Sequence, residues 1–144
     1  MLLSKEIAVY LNLVACKFKQ HTAAMLKGAD IDLGPEQFLL IDLLWNQGPM
    51  SQQKIADTMG KDKNSITKLL DGLEKKQFVE RRQDSNDRRS NIIVLTPKAE
   101  EMKFEAKEKG ISILDGILDG ISEEEQRSFV ATLAKLDANM DSRG

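Results

Sequence analysis

Residues 84–97 carry the side chains whose types and spacing are best suited to binding a polyanion. Asp87, Arg88 and Arg89 lie within a run of polar, turn-forming residues, and a β-branched run, 92–95, follows them. A second strand-like run, 79–83, comes just before. The pattern predicts a β-hairpin with cationic residues on its loop. An arginine on such a loop can enter a narrow minor groove of DNA, where the negative potential is enhanced.

Two short helical patterns with a tight turn between them precede this hairpin. Ser51 is a suitable N-cap for the first pattern, Gly60 ends it in a left-handed conformation, and Asp62 caps the second. The apolar residues of the second pattern, spaced as one face of a helix, are Ile66, Leu69, Leu70 and Leu73. This order predicts a helix-turn-helix, in which the second helix enters the major groove.

The polar face of that second helix holds groups that base recognition requires. The residues in its first turns are Lys63, Asn64, Ser65, Thr67 and Lys68. Asparagine bonds adenine bidentately, serine and threonine donate and accept, and lysine reaches guanine or phosphate. Ser51 and Gln52 begin the preceding helix, where free backbone N–H groups suit a phosphate. Each element alone is compatible with an ordinary solvated surface, but their combination in this order favours DNA.

Composition and charge agree with one region that touches phosphates. The chain has 144 residues, 41% of them hydrophobic and 31% charged, which is typical of a globular domain. The net charge is −2, but residues 51–92 hold ten Lys and Arg against seven Asp and Glu. A mildly basic middle therefore lies between acidic ends. The sequence shows neither a secretory signal nor a membrane span, and we expect a cytoplasmic protein without membrane partners.

Helical patterns occupy the N-terminal third of the chain. The first helix is predicted over residues 5–26, and the second begins at Pro35 with Gly34 as its cap. Seven of the eight residues 38–45 are apolar. A helix that is apolar all round is usually buried on most sides, so we expect this one at the centre of the fold.

Two more helices are predicted after the hairpin. Thr96 caps a helix that we expect to run to about residue 119, and a capping box at Ser122 opens the last one. Gly110, Gly116 and Gly120 in the first of these indicate either a bend or the close approach of a neighbouring backbone.

The terminal segments carry more apolar surface than a thin DNA-binding module needs for itself. These residues are Val14, Phe18, Ile111, Ile113, Leu114, Ile117, Leu118, Ile121, Leu133 and Leu136. They predict a homodimer interface, or alternatively an internal helical core. Two-fold symmetry would place two recognition helices about one DNA turn apart.

The chain resembles the multiple-antibiotic-resistance regulator (MarR) family of bacterial winged-helix repressors. The wing signature of that family stands here as Asp87-Arg88-Arg89, followed by Leu95-Thr96. The recognition-helix signature is similar to residues 63–76, the strand entry to 78–81, and the start of the second helix to 35–38. The resemblance covers essentially the whole chain.

The resemblance implies a mainly α fold with a small β-hairpin, within one domain spanning residues 1–144. Residues 34–96 would form the winged helix-turn-helix, and 1–30 with 97–144 a helical dimerisation region. The protein would be a homodimeric repressor that binds a pseudo-palindromic operator in double-stranded DNA.

The resemblance also implies roles for individual residues. Arg89 would be the minor-groove arginine and Asp87 its orienting partner, while Arg88 and Lys61 would contact phosphates. The expected DNA-binding residues are Ser51, Gln52, Lys61, Lys63, Asn64, Ser65, Thr67, Lys68, Asp87, Arg88 and Arg89.

Two positions depart from the pattern of the family. Gln77 stands where glycine often follows the recognition helix. Either Gln77 adopts the left-handed conformation at some cost, or the helix ends differently. Gly72 lies inside the recognition helix, where it either loosens the helix or allows close packing.

The residues available for sensing are few. Cys16 is the single cysteine, and we expect it to be a small core or interface residue rather than a thiol switch. One His and one Cys do not make a zinc site, so no metal or cofactor is expected. The resemblance implies a small-molecule site for an aromatic or phenolic effector between the dimer and DNA-binding regions. Phe18, His21 and Trp45 are candidates to line it, with core packing as the alternative for each.

The sequence argues against an enzyme, because it has no Ser-His-Asp arrangement, no Gly-rich phosphate loop and no metal-ligand spacing. Two hypotheses remain: a homodimeric DNA-binding regulator, or a winged-helix dimer that binds another protein and uses DNA little. The basic middle and the paired arginines favour the first. A steep salt dependence of binding to duplex DNA would distinguish them.

Overall fold

Helices dominate the computed structural model, which describes residues 2–143. The chain forms two compact units, one ending at Gly110 and one beginning at Ile111. The elements in chain order are α1 (Leu3–Gly28), α2 (Pro35–Gln47), β1 (Met50–Ser51), α3 (Gln52–Met59), α4 (Lys63–Lys75), β2 (Val79–Gln83), β3 (Asn91–Leu95), α5 (Pro97–Glu101), α6 (Lys103–Ile117) and α7 (Glu123–Arg143). The boundary between the units falls inside α6. The predicted fold class, mainly helical with a winged helix-turn-helix, is confirmed.

The helices begin at the side-chain caps that the sequence predicts. In each case a side-chain oxygen accepts the N–H of the residue three positions on. These bonds are Lys54 N–H to Ser51 Oγ (3.1 Å), Ser65 N–H to Asp62 Oδ1 (2.6 Å), Ala99 N–H to Thr96 Oγ1 (3.4 Å) and Glu125 N–H to Ser122 Oγ (3.1 Å). Gly60 ends α3 with a left-handed φ of 63°, as predicted.

The wing strands form an antiparallel sheet in the order β1-β3-β2. In the hairpin, Val79 pairs with Leu95 and Gln83 with Asn91. The third strand, β1, pairs Met50 with Ile93 across the other edge of β3. The strand β1 was not predicted from the sequence, because two residues are too few to show the alternation of a strand.

The helix α2 lies at the centre of the first unit, as predicted, and packs against α1, α4 and β3. Leu40, Ile41 and Leu44 are buried. Leu39 is the exception on this apolar segment, since it is 52% exposed.

The helix predicted from Thr96 to about residue 119 is interrupted. It ends as α5 at Glu101, Met102 forms a turn, and α6 follows. The N–H of Met102 bonds the carbonyl of Glu100, so the regular helical ladder is broken at this point. Gly110 and Gly116 lie inside α6 without interrupting it, and Gly120 follows its end with a left-handed φ of 78°.

The recognition helix α4 ends at a left-handed Gln77. Its φ is 67°, its N–H bonds the carbonyl of Glu74 at 3.0 Å, and the N–H of Phe78 bonds the carbonyl of Leu73 at 2.9 Å. This pair of bonds is a Schellman motif, with the buried side chains of Phe78 and Leu73 at its two ends. Of the two alternatives for Gln77, the left-handed conformation is therefore the one observed.

Most of the apolar residues predicted to form an interface are exposed in the single chain. Val14 is 55% exposed in α1, and Ile111, Leu114 and Ile117 in α6 are 42–58% exposed. An internal core thus does not account for these side chains. Across residues 2–143, every helix is too short or too polar to cross a membrane.

Candidate nucleic-acid interface

The N-terminus of α4 is fixed by an ionised cap. The N–H of Ser65 donates to Asp62, and this bond is the main cause that lowers the pKa of the Asp62 carboxyl below its ordinary value of 3.8. A carboxylate at this position also interacts favourably with the helix dipole. The helix therefore begins at Lys63, and both Lys63 and Asn64 are exposed in its first turn.

The helices α3 and α4 are joined by a side-chain hydrogen bond within the predicted DNA-binding set. The amide of Gln52 donates to the hydroxyl of Thr67 at 2.9 Å, and that hydroxyl donates to the carbonyl of Lys63 at 2.9 Å. Both side chains are half-buried. The hydroxyl of Thr67 is thus occupied within the protein, whereas Lys68, next to it on α4, is exposed.

The wing loop between β2 and β3 is folded by its own polar groups. The carboxylate of Asp87 accepts the backbone N–H of Arg89 at 3.0 Å, and the amide of Gln83 donates to the carbonyl of Arg88 at 3.0 Å. The guanidinium Nε of Arg89 is 3.9 Å from Asp87, and 97% of the Arg89 side chain is exposed. The loop therefore presents the arginine to solvent while Asp87 orients its backbone.

A concave surface lies between the wing and the helix pair and encloses a volume of about 540 Å³. Its lining includes Gln52 of α3, Lys63 and Thr67 of α4, and Asp87 and Arg89 of the wing loop. Residues predicted from three separate stretches of sequence are thus brought to one surface. Among the other predicted residues, Lys61 is paired with Glu36 at 3.3 Å.

Arg81 of β2 also lines this surface, and the sequence analysis missed it. Its guanidinium donates to the carboxylate of Asp71 at 2.7 Å and to the carbonyl of Thr67 at 3.2 Å, and it lies 3.9 Å from Glu74. Its side chain is only 22% exposed, and its Nε is buried without a hydrogen-bond partner among the described residues. Arg81 therefore fixes the wing against α4. Its place two residues after the buried Val79, on the same face of β2, was the available signal.

The three candidate effector residues do not share one environment. Trp45 is buried, and its indole donates to the carbonyl of Ala99 at 3.3 Å, so it is a core residue here. Phe18 and His21 are exposed on α1. Cys16 on the same helix is also exposed, so it is not a core residue of the single chain.

The comparisons with known proteins agree with this arrangement. The model of the MarR family matches residues 33–91, which span α2, the helix-turn-helix and most of the wing. An uncharacterized HTH-type transcriptional regulator of Bacillus subtilis (strain 168), YfiV, is 33% identical over 111 residues, covering 77% of this chain and 69% of that protein. The chain belongs to the MarR family.

Solved structures of MarR-family regulators share the fold of this chain. A MarR/EmrR family regulator from Acinetobacter sp. ADP1 has a TM-score of 0.87 at 24% identity, with 99% of each chain covered. The S. aureus MepR–DNA complex has a TM-score of 0.81 at 23% identity, covering 92% of this chain and 95% of that one. Members of the MarR family are DNA-binding transcriptional regulators and not enzymes.

Proposed function

We propose that this MarR-family regulator is a homodimeric repressor that reads a pseudo-palindromic operator with two helices and two wings. The observation that carries the proposal is that the start of α4 and the wing loop line the same concave surface. Lys63 and Arg89, which are far apart in the sequence, both line this surface. A duplex seated there would meet α4 in its major groove and the wing in the adjacent minor groove.

The exposed side chains of α4 are assigned to base edges. Lys63, Asn64 and Lys68 are free to reach the groove, and Ser65 lies beside them, half-buried. Thr67 is assigned to holding α4 as much as to DNA, because its hydroxyl already bonds Gln52.

Phosphate contacts are assigned around this helix. The side chains of Ser51 and Gln52 make bonds within the protein, so their phosphate contacts would come from backbone N–H groups at the start of α3. Arg88 is exposed on the wing. Lys61 would have to exchange its partner Glu36 for a phosphate.

The dimer is proposed to form through the terminal helices, residues 1–30 and 97–144. The exposed apolar side chains of α1, α6 and α7 support it, because a monomer gains nothing from leaving so many large apolar side chains in water, whereas a partner copy can bury them. A palindromic operator also requires two copies of the recognition helix. Sedimentation of Val14→Asp against wild type tests this: we expect the wild type at twice the monomer mass and the variant shifted toward the monomer. A wild-type monomer would contradict the proposal.

The proposal includes an aromatic or phenolic effector that binds at α1. Phe18 and His21 lie three residues apart on α1, so a ligand could contact both. Trp45 would respond indirectly, through the core around it. Because Trp45 is the single tryptophan, its fluorescence would report saturable binding of salicylate, used here as a phenolic probe.

Titration of a duplex in a series of salt concentrations tests DNA reading as a whole. Fluorescence anisotropy should give a log–log slope of about −0.9 for each neutralised phosphate, and tighter binding to a duplex selected by the protein than to a scrambled one. A flat salt dependence would refute the proposal and favour a winged-helix dimer that binds another protein.

A further inference from the structure

A polar cluster joins the end of the recognition helix to the link between α1 and α2. The ammonium of Lys76, the residue after α4, lies 3.0 Å from the carbonyl oxygen of Asp32 and 3.0 Å from Oε1 of Gln37. The carboxylate of Asp32 is 3.5 Å away. Two of the three donors of the ammonium thus bond oxygens of the protein itself, and the Asp32 carboxylate forms an ion pair with it. Lys76 is thus engaged within the protein, although it directly follows a helix rich in lysine.

Gln37 connects this cluster to the start of α2. Its Oε1 accepts the N–H of Gly34, the N-cap residue of α2, at 3.0 Å as well as the ammonium of Lys76. Two donors converge on this atom, which identifies it as the amide oxygen. The same oxygen therefore caps α2 and holds Lys76. A movement of the first turn of α2 would thus displace Lys76 at the end of α4.

Gly72 makes room for this contact. It lies one turn before Lys76 on the same face of α4, and a Cβ at position 72 would be 2.8 Å from Nε2 of Gln37. Any other residue would push the amide of Gln37 away from the helix. Of the two alternatives for Gly72, close packing is the one that the structure supports.

We propose that Gln37 and Lys76 form a latch that fixes the orientation of α4, and that Lys76 is a positioning residue for DNA recognition rather than a phosphate contact. This inference rests on the proposed role of α4 in reading DNA. The latch is attached to the link that follows α1, through Asp32. The orientation of the recognition helix therefore depends on the conformation of this link, and a displacement of the link is transmitted to α4 through Lys76.

The test is Lys76→Met, with Lys75→Met as the matched control. Lys75 is adjacent, exposed and of the same charge. Binding is measured by anisotropy across a salt series, on a duplex that the wild-type protein selects from a random library and on a scrambled duplex of equal length. We expect Lys76→Met to weaken the selected duplex about 5- to 10-fold, with the scrambled duplex and the salt slope unchanged. Lys75→Met should leave the preference for the selected duplex unchanged.

The opposite result is equally specific. If Lys76→Met weakens both duplexes alike and lowers the salt slope by about two, one for each subunit of the dimer, Lys76 contacts a phosphate and the latch proposal is wrong, while the proposed function stands. A wild-type protein that selects no duplex would refute the proposed function, and the role of the latch in DNA reading with it.

A second measurement examines the latch without DNA. Urea unfolding of Gln37→Leu, Lys76→Met and the double variant should be non-additive, with a coupling of about 3- to 10-fold in the unfolding equilibrium, because either single change already removes the bond between the two side chains. Additive effects would refute the latch. If Gln37→Leu does not fold, Gly72→Ala replaces it, since a Cβ there displaces the amide of Gln37. Its effect on duplex preference should then vanish in the Lys76→Met background, and an equal effect in both backgrounds would refute the latch.

Discussion

Truncation of Arg89 tests the contribution of the wing to DNA binding without disturbing the rest of the protein. The side chain is 97% exposed, and its guanidinium is 3.9 Å from Asp87. The short bond to Asp87, at 3.0 Å, comes from the backbone N–H of Arg89. Arg89→Ala retains this backbone bond and removes almost no packing. We therefore expect the free energy of unfolding to change by less than about 0.5 kcal/mol, and the mass of the protein in solution to stay the same.

The loss in DNA binding should be much larger than the loss in stability. A specific arginine contact to DNA contributes about 1–3 kcal/mol. Because the Arg89 side chain is almost fully exposed before binding, its side-chain entropy opposes ordering in the groove, which favours the lower end of this range. A homodimer would lose the contact in both half-sites at once. We expect the dissociation constant for the selected duplex to rise at least about tenfold.

Anisotropy titration of wild type, Arg89→Ala and Arg88→Ala on selected and scrambled duplexes measures this difference. Arg88→Ala is the neighbouring control, because losing the expected phosphate contact of Arg88 should weaken binding to both duplexes equally. Arg89→Ala should mainly reduce the preference for the selected duplex, since a narrow minor groove depends on the sequence. Binding of Arg89→Ala within twofold of wild type to the selected duplex would show that the wing does not enter the minor groove.

Three further predictions concern stability and sensing. Gln77→Gly should raise the free energy of unfolding by about 0.5–1 kcal/mol, because glycine adopts the left-handed conformation without strain; thermal melting should show an increase of about 2–3 °C, and a decrease would contradict this. The pKa of Asp62 is lowered mainly by the Ser65 N–H, so wild type should be more stable than Asp62→Asn above pH 3.8 and should lose this advantage as the pH falls through the lowered pKa. Urea unfolding at several pH values checks this, and a stability difference that does not depend on pH would contradict it. Cys16→Ser and wild type should bind DNA equally with and without peroxide, whereas a peroxide-triggered release that disappears in Cys16→Ser would establish a thiol switch.

The parts of the fold that follow from the sequence depend on contacts within a few residues. Ser51, Asp62 and Thr96 each cap the helix that begins beside them, and each bond spans three positions. The burial of α2 is predicted equally well. A helix that is apolar on nearly all sides packs against neighbours in several directions, so it lies inside the fold. Such signals are complete within a short window of sequence, so no knowledge of distant residues is needed to interpret them.

The parts that the sequence does not determine depend on partners far along the chain. The strand β1 exists because Met50 meets Ile93, and neither residue indicates this alone. The turn at Met102 has no glycine or proline to mark it, whereas the three glycines that follow indicate either a bend or the close approach of a backbone further along the chain. In the candidate interface, the exposed lysines and arginines were identified by type, whereas Arg81 was missed because its role depends on the carboxylates of another element.

The glycine at position 72 shows why such positions stay ambiguous until the contacts are known. In a helix, glycine costs about 1 kcal/mol relative to alanine, and this cost alone favours a loosened helix. The structure supplies the opposing contribution, because the space at Gly72 admits Gln37, whose oxygen holds Lys76 across 39 residues of sequence. A hydrogen bond to a charged group contributes about 1.5–3 kcal/mol, which is enough to offset the cost of the glycine. The helix that we propose to read DNA is thus held by a contact that its own sequence does not contain, so its orientation depends on the segment that leads into α2.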